Sequence, residues 1–141
     1  MNKDKIFGLF DDSSNPDSTI VNSVIAINDG PYYKLGMFTK LILNHFVFHN
    51  KLQKFLQKEE PSYNVKSTKE ASEFVVFNRA WNYISKIDIN IKEHIFAILD
   101  FNPKLLSSSL ESALLYFEEL EEYEKCAHLF KIKNILKESK R

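Results

Sequence analysis

The sequence predicts an all-α protein: a bundle of about five helices over residues 32–141, preceded by an irregular or minimally β arm over residues 1–31. Three observations carry this. From Tyr32 onward apolar side chains recur every three or four residues, the step that puts them on one face of a helix. Helix-start chemistry recurs between those runs. Only three Gly and four Pro occur, too few turn formers for an all-β chain.

The elements follow in order. Ile6-Phe7-Gly8-Leu9-Phe10 is an apolar pentad, and Asp11 to Asp17 after it is loop chemistry. Thr19 to Ile27 is β-branched and apolar, fitting a short strand or a helical turn equally. Phe38, Leu41, Ile42, His45, Phe48, His49, Leu52, Phe55 and Leu56 then form one wide helical face, closed by Pro61 and the polar stretch to Lys66. Ser67-Thr68-Lys69-Glu70 has capping-box spacing. The helix it opens carries Phe74, Phe77, Trp81 and Ile84 on one face and Val76, Ala80, Tyr83 and Ile87 beside it, which predicts a place in the middle of the bundle.

Asn90-Ile91-Lys92-Glu93 repeats the cap logic for a short helix through Leu99. Asn102-Pro103 opens the next, because proline at the first helical position loses no useful amide. Leu106, Leu110, Ala113, Leu114 and Phe117 are in register there, and Tyr123, Cys126, Ala127 and Phe130 in the last helix, flanked by Leu129, Ile132 and Leu136. The apolar stripe slips phase between these two runs. A tight turn near Glu121-Glu122, making an antiparallel hairpin, is therefore favoured over one long helix.

Composition narrows the function. The hydrophobic fraction of 44% and aromatic fraction of 13% belong to a folding chain. The abundance of Lys, Asn, Ile and Phe reads as the coding bias of an AT-rich genome, bacterial or viral. Formal net charge is zero, so attraction to nucleic acid is not built into the whole molecule. Among nineteen basic residues only Arg79 and Arg141 carry the guanidinium fork that phosphate and base recognition favour. The single cysteine, Cys126, excludes an internal disulfide and any multi-cysteine zinc site. No run reaches the roughly 18 apolar residues of a membrane span, and no secretory leader chemistry follows Met1. Cytoplasmic residence, with no membrane contact, is the expectation.

His45 and His49, four apart on one helix face, have the spacing of a metal-binding pair. A third ligand would come from His94, His128 or a carboxylate. Without a zincin glutamate between them, packed histidines are the expectation. Cys126 has no base beside it, since His128 two residues on points elsewhere, and reads as a buried structural thiol. No cofactor and no catalytic residue are expected.

Glu111, Glu118, Glu119, Glu121, Glu122 and Glu124 gather around the expected hairpin tip, with Tyr123 among them; Lys51, Lys54 and Lys58 form a small basic edge on the first helix. The segment Leu120-Glu121-Glu122-Tyr123-Glu124-Lys125-Cys126-Ala127-His128-Leu129 resembles the tip of the helical hairpin at the end of UvrB and inside UvrC, whose pattern runs Leu-Glu-Phe-Glu-Lys-Ala-Ala-x-Leu. Glu122 is an additional residue here, and Phe130-Lys131 replaces the usual Arg-Asp. The resemblance implies a protein-docking hairpin. The pentad with Phe7, Leu9 and Phe10 is similar to short apolar peptides that plug into sliding clamps. The expected function is a non-enzymatic binding or adaptor protein that meets another protein through a helical surface. The alternatives are an accessory factor of a nucleic-acid machine recruited by protein contacts, and a small metal-dependent enzyme using His45 and His49.

Overall fold

A computed structural model describes residues 30–62 and 64–139. The expected arm, with Phe7, Leu9, Phe10 and the Thr19–Ile27 stretch, lies outside them. The chain divides into Met1–Gly30 and Pro31–Arg141. The second unit is an all-α bundle of five helices: α1 (Pro31–Glu59), α2 (Val65–Ile84), α3 (Lys92–Asp100), α4 (Pro103–Glu119) and α5 (Tyr123–Ser139). Among the described residues there is no strand.

Local chemistry sets the helix ends. Asn102 starts α4 as expected, its Oδ1 accepting the amides of Lys104 at 3.1 Å and Leu105 at 3.3 Å ahead of a proline in the first turn. The other two starts differ from expectation. The cap of α2 is Asn64, not Ser67; the Ser67 amide donates to Asn64 Oδ1 at 3.2 Å, so Ser67 already lies inside the first turn. The cap of α3 is Ile91, which has no side-chain cap bond. Asn90 is drawn away because its amide donates to Asp88 Oδ1 at 2.9 Å, a local turn that competes with capping.

The core is built from Leu35, Phe38 and Ile42 of α1, Phe77, Ala80 and Ile84 of α2, Ala97 and Ile98 of α3, Leu106, Leu110, Ala113 and Phe117 of α4, and Leu129, Ile132 and Leu136 of α5. Each Leu, Ile or Phe covered in this way contributes about 1.5–3 kcal/mol relative to exposure. Helix α1 packs on α2, α4 and α3, while α5 packs on α4 and α3. The central place expected of α2 therefore belongs to α1. Two polar ties cross the bundle: Tyr32 donates its hydroxyl to Asp100 Oδ2 at 3.0 Å, and His128 Nε2–H donates to the Ile84 carbonyl at 2.8 Å.

Three phenylalanines expected on core faces lie in solvent. Phe48 is 66% exposed, Phe55 60% and Phe74 62%. At about 100° per residue, Phe48 and Phe55 stand roughly 120–140° around α1 from Ile42, so the wide apolar face exceeds what the bundle covers. Phe74 does share a face with Phe77, but no described α2 side chain before Phe77 is buried. Trp81 is half-buried against the core. In α5 the buried line is Leu129, Ile132 and Leu136, whereas Tyr123, Ala127 and Phe130 are exposed. Of the stripe expected to be central in that helix, Cys126 packs against the core and the rest forms the outer face.

Candidate functional site

The turn between α4 and α5 is the hairpin favoured from sequence, and its backbone explains its shape. Glu121 has φ 59°. Its amide donates to the Glu118 carbonyl at 3.0 Å, and the Glu122 amide donates to the Phe117 carbonyl at 2.9 Å. This pair of bonds around a left-handed residue is the Schellman motif, which satisfies carbonyls that the helix end would leave bare. Glycine or asparagine ordinarily holds that position; a glutamate there costs about 1–2 kcal/mol of backbone strain. The next helix starts at once, with the Cys126 amide donating to the Glu122 carbonyl at 3.2 Å.

The turn presents the expected residues together. Glu118, Glu119, Glu121 and Glu124 are exposed, and Tyr123 is 65% exposed between them. Glu122 differs: it is half-buried and pairs with Lys125 at 3.2 Å. The Lys125 ammonium also lies 4.9 Å from the Phe117 ring centroid and 5.5 Å from that of Trp81. Ion pair and cation–π contact together pin the first turn of α5 to the core. Glu118, Glu119, Glu121 and Glu124 have no ion-pair partner among the described residues.

A groove of about 210 Å³ opens where α4 passes α1 and α2, lined by Phe46, Lys69, Glu73, Phe77, Leu115, Tyr116 and Glu119 among others. Its floor is the stacked pair Phe77–Tyr116, with centroids 4.5 Å apart. Burial, with Glu73 and Glu122 nearby, pushes the Tyr116 hydroxyl above the ordinary phenol range.

The histidines expected as a candidate pair are both buried in α1, their rings stacked with centroids 5.2 Å apart. The Gln53 side-chain amide donates to His49 Nε2 at 2.6 Å, so that nitrogen is occupied. Burial holds His45 below the ordinary imidazole range, and the neighbouring His49 and Lys69 act in the same direction. His94 and His128, considered as third ligands, serve backbone groups instead: His94 Nδ1 accepts the Asp88 amide at 2.9 Å, and His128 holds Ile84. Among the described residues no group of three or more His, Cys, Asp or Glu is placed to hold a metal ion. The Cys126 thiol is half-buried rather than buried, and desolvation first, then Glu118 and Glu122, raise it above the usual thiol range. A thiol held protonated in this way is a poor nucleophile.

Sequence reasoning found the basic edge of Lys51, Lys54 and Lys58 on α1 but missed the exposed apolar residues beside it. Leu43, Val47, Phe48 and Phe55 are 46%, 49%, 66% and 60% exposed there, interleaved with exposed Lys40, Lys51, Lys54 and Lys58. The signal was present: residues 31–58 contain five lysines and no acid, and the apolar stripe is wider than one bundle face requires. No helix of the described residues is long and apolar enough to cross a membrane. No family model, no curated protein and no solved structure matches this chain.

Proposed function

We propose that the protein is a binding or adaptor protein that engages another protein through the α4–α5 hairpin tip. The observation that supports this reading most is the exposed Tyr123 ring set among Glu118, Glu119, Glu121 and Glu124, carboxylates without an ion-pair partner among the described residues. An aromatic side chain supplies apolar contact area at low entropic cost, and unpaired charges around it steer a partner of opposite sign. The resemblance of this segment to a UvrB/UvrC-type docking hairpin points the same way. Glu121 adds a physical hint: strained backbone concentrates where a side chain is wanted for something other than stability.

The test is charge reversal. Replacing Glu118, Glu119 and Glu121 together by lysine is expected to leave the helical circular dichroism intact, since exposed substitutions change stability by about 0.5 kcal/mol or less each. Cross-linking in host extract at low salt, where screening is weakest, is expected to lose the adducts that the wild-type chain forms. Unchanged adducts from the folded variant would defeat the reading. An accessory role at nucleic acid predicts instead a direct complex with DNA or RNA whose strength falls steeply with salt.

A further inference from the structure

We infer that the surface which receives the acidic hairpin tip is the outer face of α1 on a second copy of this chain. The inference rests on the tip being a docking element and names what it docks on.

Charge is segregated along a chain that is neutral overall. Residues 31–58 carry five lysines and no acid, whereas residues 105–124 carry six glutamates and no lysine or arginine. Of these charges only Glu111 and Glu122 have an ion-pair partner among the described residues, Lys133 at 3.6 Å and Lys125 at 3.2 Å. Lys51, Lys54 and Lys58 have no ion-pair partner among the described residues, and neither have Glu118, Glu119 and Glu121. A net charge of zero removes the long-range repulsion that keeps strongly charged proteins apart.

Both surfaces also hold apolar area that the bundle leaves wet. On α1, Phe48 and Phe55 are about two-thirds exposed, rings that cover roughly 150–250 Å² each when fully buried. With Leu43 and Val47 they leave on the order of several hundred Å² of apolar surface, the size at which a patch marks an interaction site. On the tip, Leu120 and Tyr123 are 50% and 65% exposed, and Leu115, further back along α4, is 64% exposed. Aromatic rings flanked by lysines on one surface meet an aromatic ring flanked by carboxylates on the other.

A two-fold arrangement makes the contact twice, the α1 face of each copy receiving the tip of its partner. The doubled contact reaches the roughly 800 Å² per partner that stable complexes bury more readily than a single one. A partner of other chemistry, such as an anionic lipid surface, would use the α1 lysines but leave the acidic tip unmatched.

The experiment is sedimentation equilibrium of the full chain at low and high salt. Wild-type protein is expected to sediment above its monomer mass of 16.5 kDa at low salt and to dissociate toward it in 1 M salt, where the Debye length falls to about 3 Å. Reversing the α1 charges (K51E, K54E and K58E together) or the tip charges (E118K, E119K and E121K together) is expected to weaken association roughly tenfold or more. An equimolar mixture of the two reversed chains is expected to associate again, because each α1 face then meets a tip of opposite sign. Restored association of the mixture is the outcome that a merely structural effect of either variant does not produce. Should one reversed chain fail to fold by circular dichroism, F48S with F55S takes its place and is expected to weaken association as well.

A wild-type chain that is monomeric at every concentration overturns the self-pairing, and overturns it alone, since capture of a different protein by the tip has its own test above. Two folded reversed chains that lose association and do not regain it when mixed overturn the pairing of these two surfaces. A tip-reversed chain that associates like wild type overturns both the pairing and the place of the tip in it.

Discussion

The molecule contains two helical hairpins of similar design and different fate. In α4–α5 both helices carry a buried line along their length, from Leu106 to Phe117 and from Leu129 to Leu136, and the turn between them is three residues closed by a Schellman motif. In α1–α2 the helices are 29 and 20 residues long. The buried apolar side chains of α1 stop at Ile42, and those described in α2 begin only at Phe77. Beyond those points the buried residues of α1 are His45 and His49. The α4–α5 hairpin buries apolar residues in both helices and leaves Leu115, Leu120 and Tyr123 exposed toward its turn. The far half of α1–α2 instead leaves Phe48, Phe55 and Phe74 exposed beside the α1 lysines.

That contrast is sharpest in phenylalanine. Phe117 is 1% exposed and meets Phe77, Trp81 and Tyr116 edge-on, with centroids 5.2–6.5 Å apart. Phe117→Ala is expected to cost about 3–5 kcal/mol in urea unfolding, as large aromatic deletions from cores do. Phe48→Ala and Phe55→Ala are each expected to change stability by about 0.5 kcal/mol or less, measured well below any self-association concentration. Equal losses in the two hairpins would break the comparison.

A middle-sized effect distinguishes the buried histidine seam of α1 from the buried line of α4, whose polar member, Ser109, does not titrate. His45 is held below its ordinary range by burial first, then by His49 and Lys69. A base whose folded pKa lies below its unfolded value binds fewer protons when folded. Stability is therefore full above about pH 6.5 and declines as pH falls through that unfolded value toward the depressed folded one. The urea midpoint is expected to fall from pH 7.5 to pH 5.5, and His45→Leu is expected to shrink that fall. An unchanged pH dependence in His45→Leu would show that the seam is not where protons act.

The smallest expected effect concerns the turn itself. Glu121→Gly relieves the left-handed strain but adds chain entropy to the unfolded state, for a net gain of about 0.5–1 kcal/mol. A loss of stability would mean that the Glu121 side chain itself supports the hairpin.

Much of the fold is legible in the sequence. Asn102-Pro103 announces a helix start by chemistry that acts within four residues, and the phase slip near Glu121 announces a break because two helices packed on one core need two faces. Local competition hid the other starts: Ser67 and Asn64 both suit a cap, and Asp88 takes the Asn90 amide in a turn that sequence spacing does not rank. Of the candidate site, the tip residues were legible as a cluster of charge at a turn. That Glu118, Glu119, Glu121 and Glu124 stay without an ion pair among the described residues was not, because Lys125 reaches Glu122 and the more distant Lys133 reaches Glu111 at 3.6 Å instead.

What the sequence alone determined is the set of helical runs and the apolar side of most of them, since these follow from steps of three and four residues and from caps; the turn between the last two it favoured over one long helix without deciding it. What only the tertiary structure decided is which apolar residues are covered. Periodicity states the direction in which Phe38, Phe48 and Phe74 leave their helix axes, but burial requires that a second helix stand there. It does for Phe38, where α1 lies within the bundle, and it does not for Phe48, which points away from it, or for Phe74, which precedes the first buried residue of α2. Helix α5 makes the same point within one element. Tyr123, Ala127 and Phe130 repeat as regularly as Leu129, Ile132 and Leu136, and only the position of the neighbouring helices selects the second line for the core.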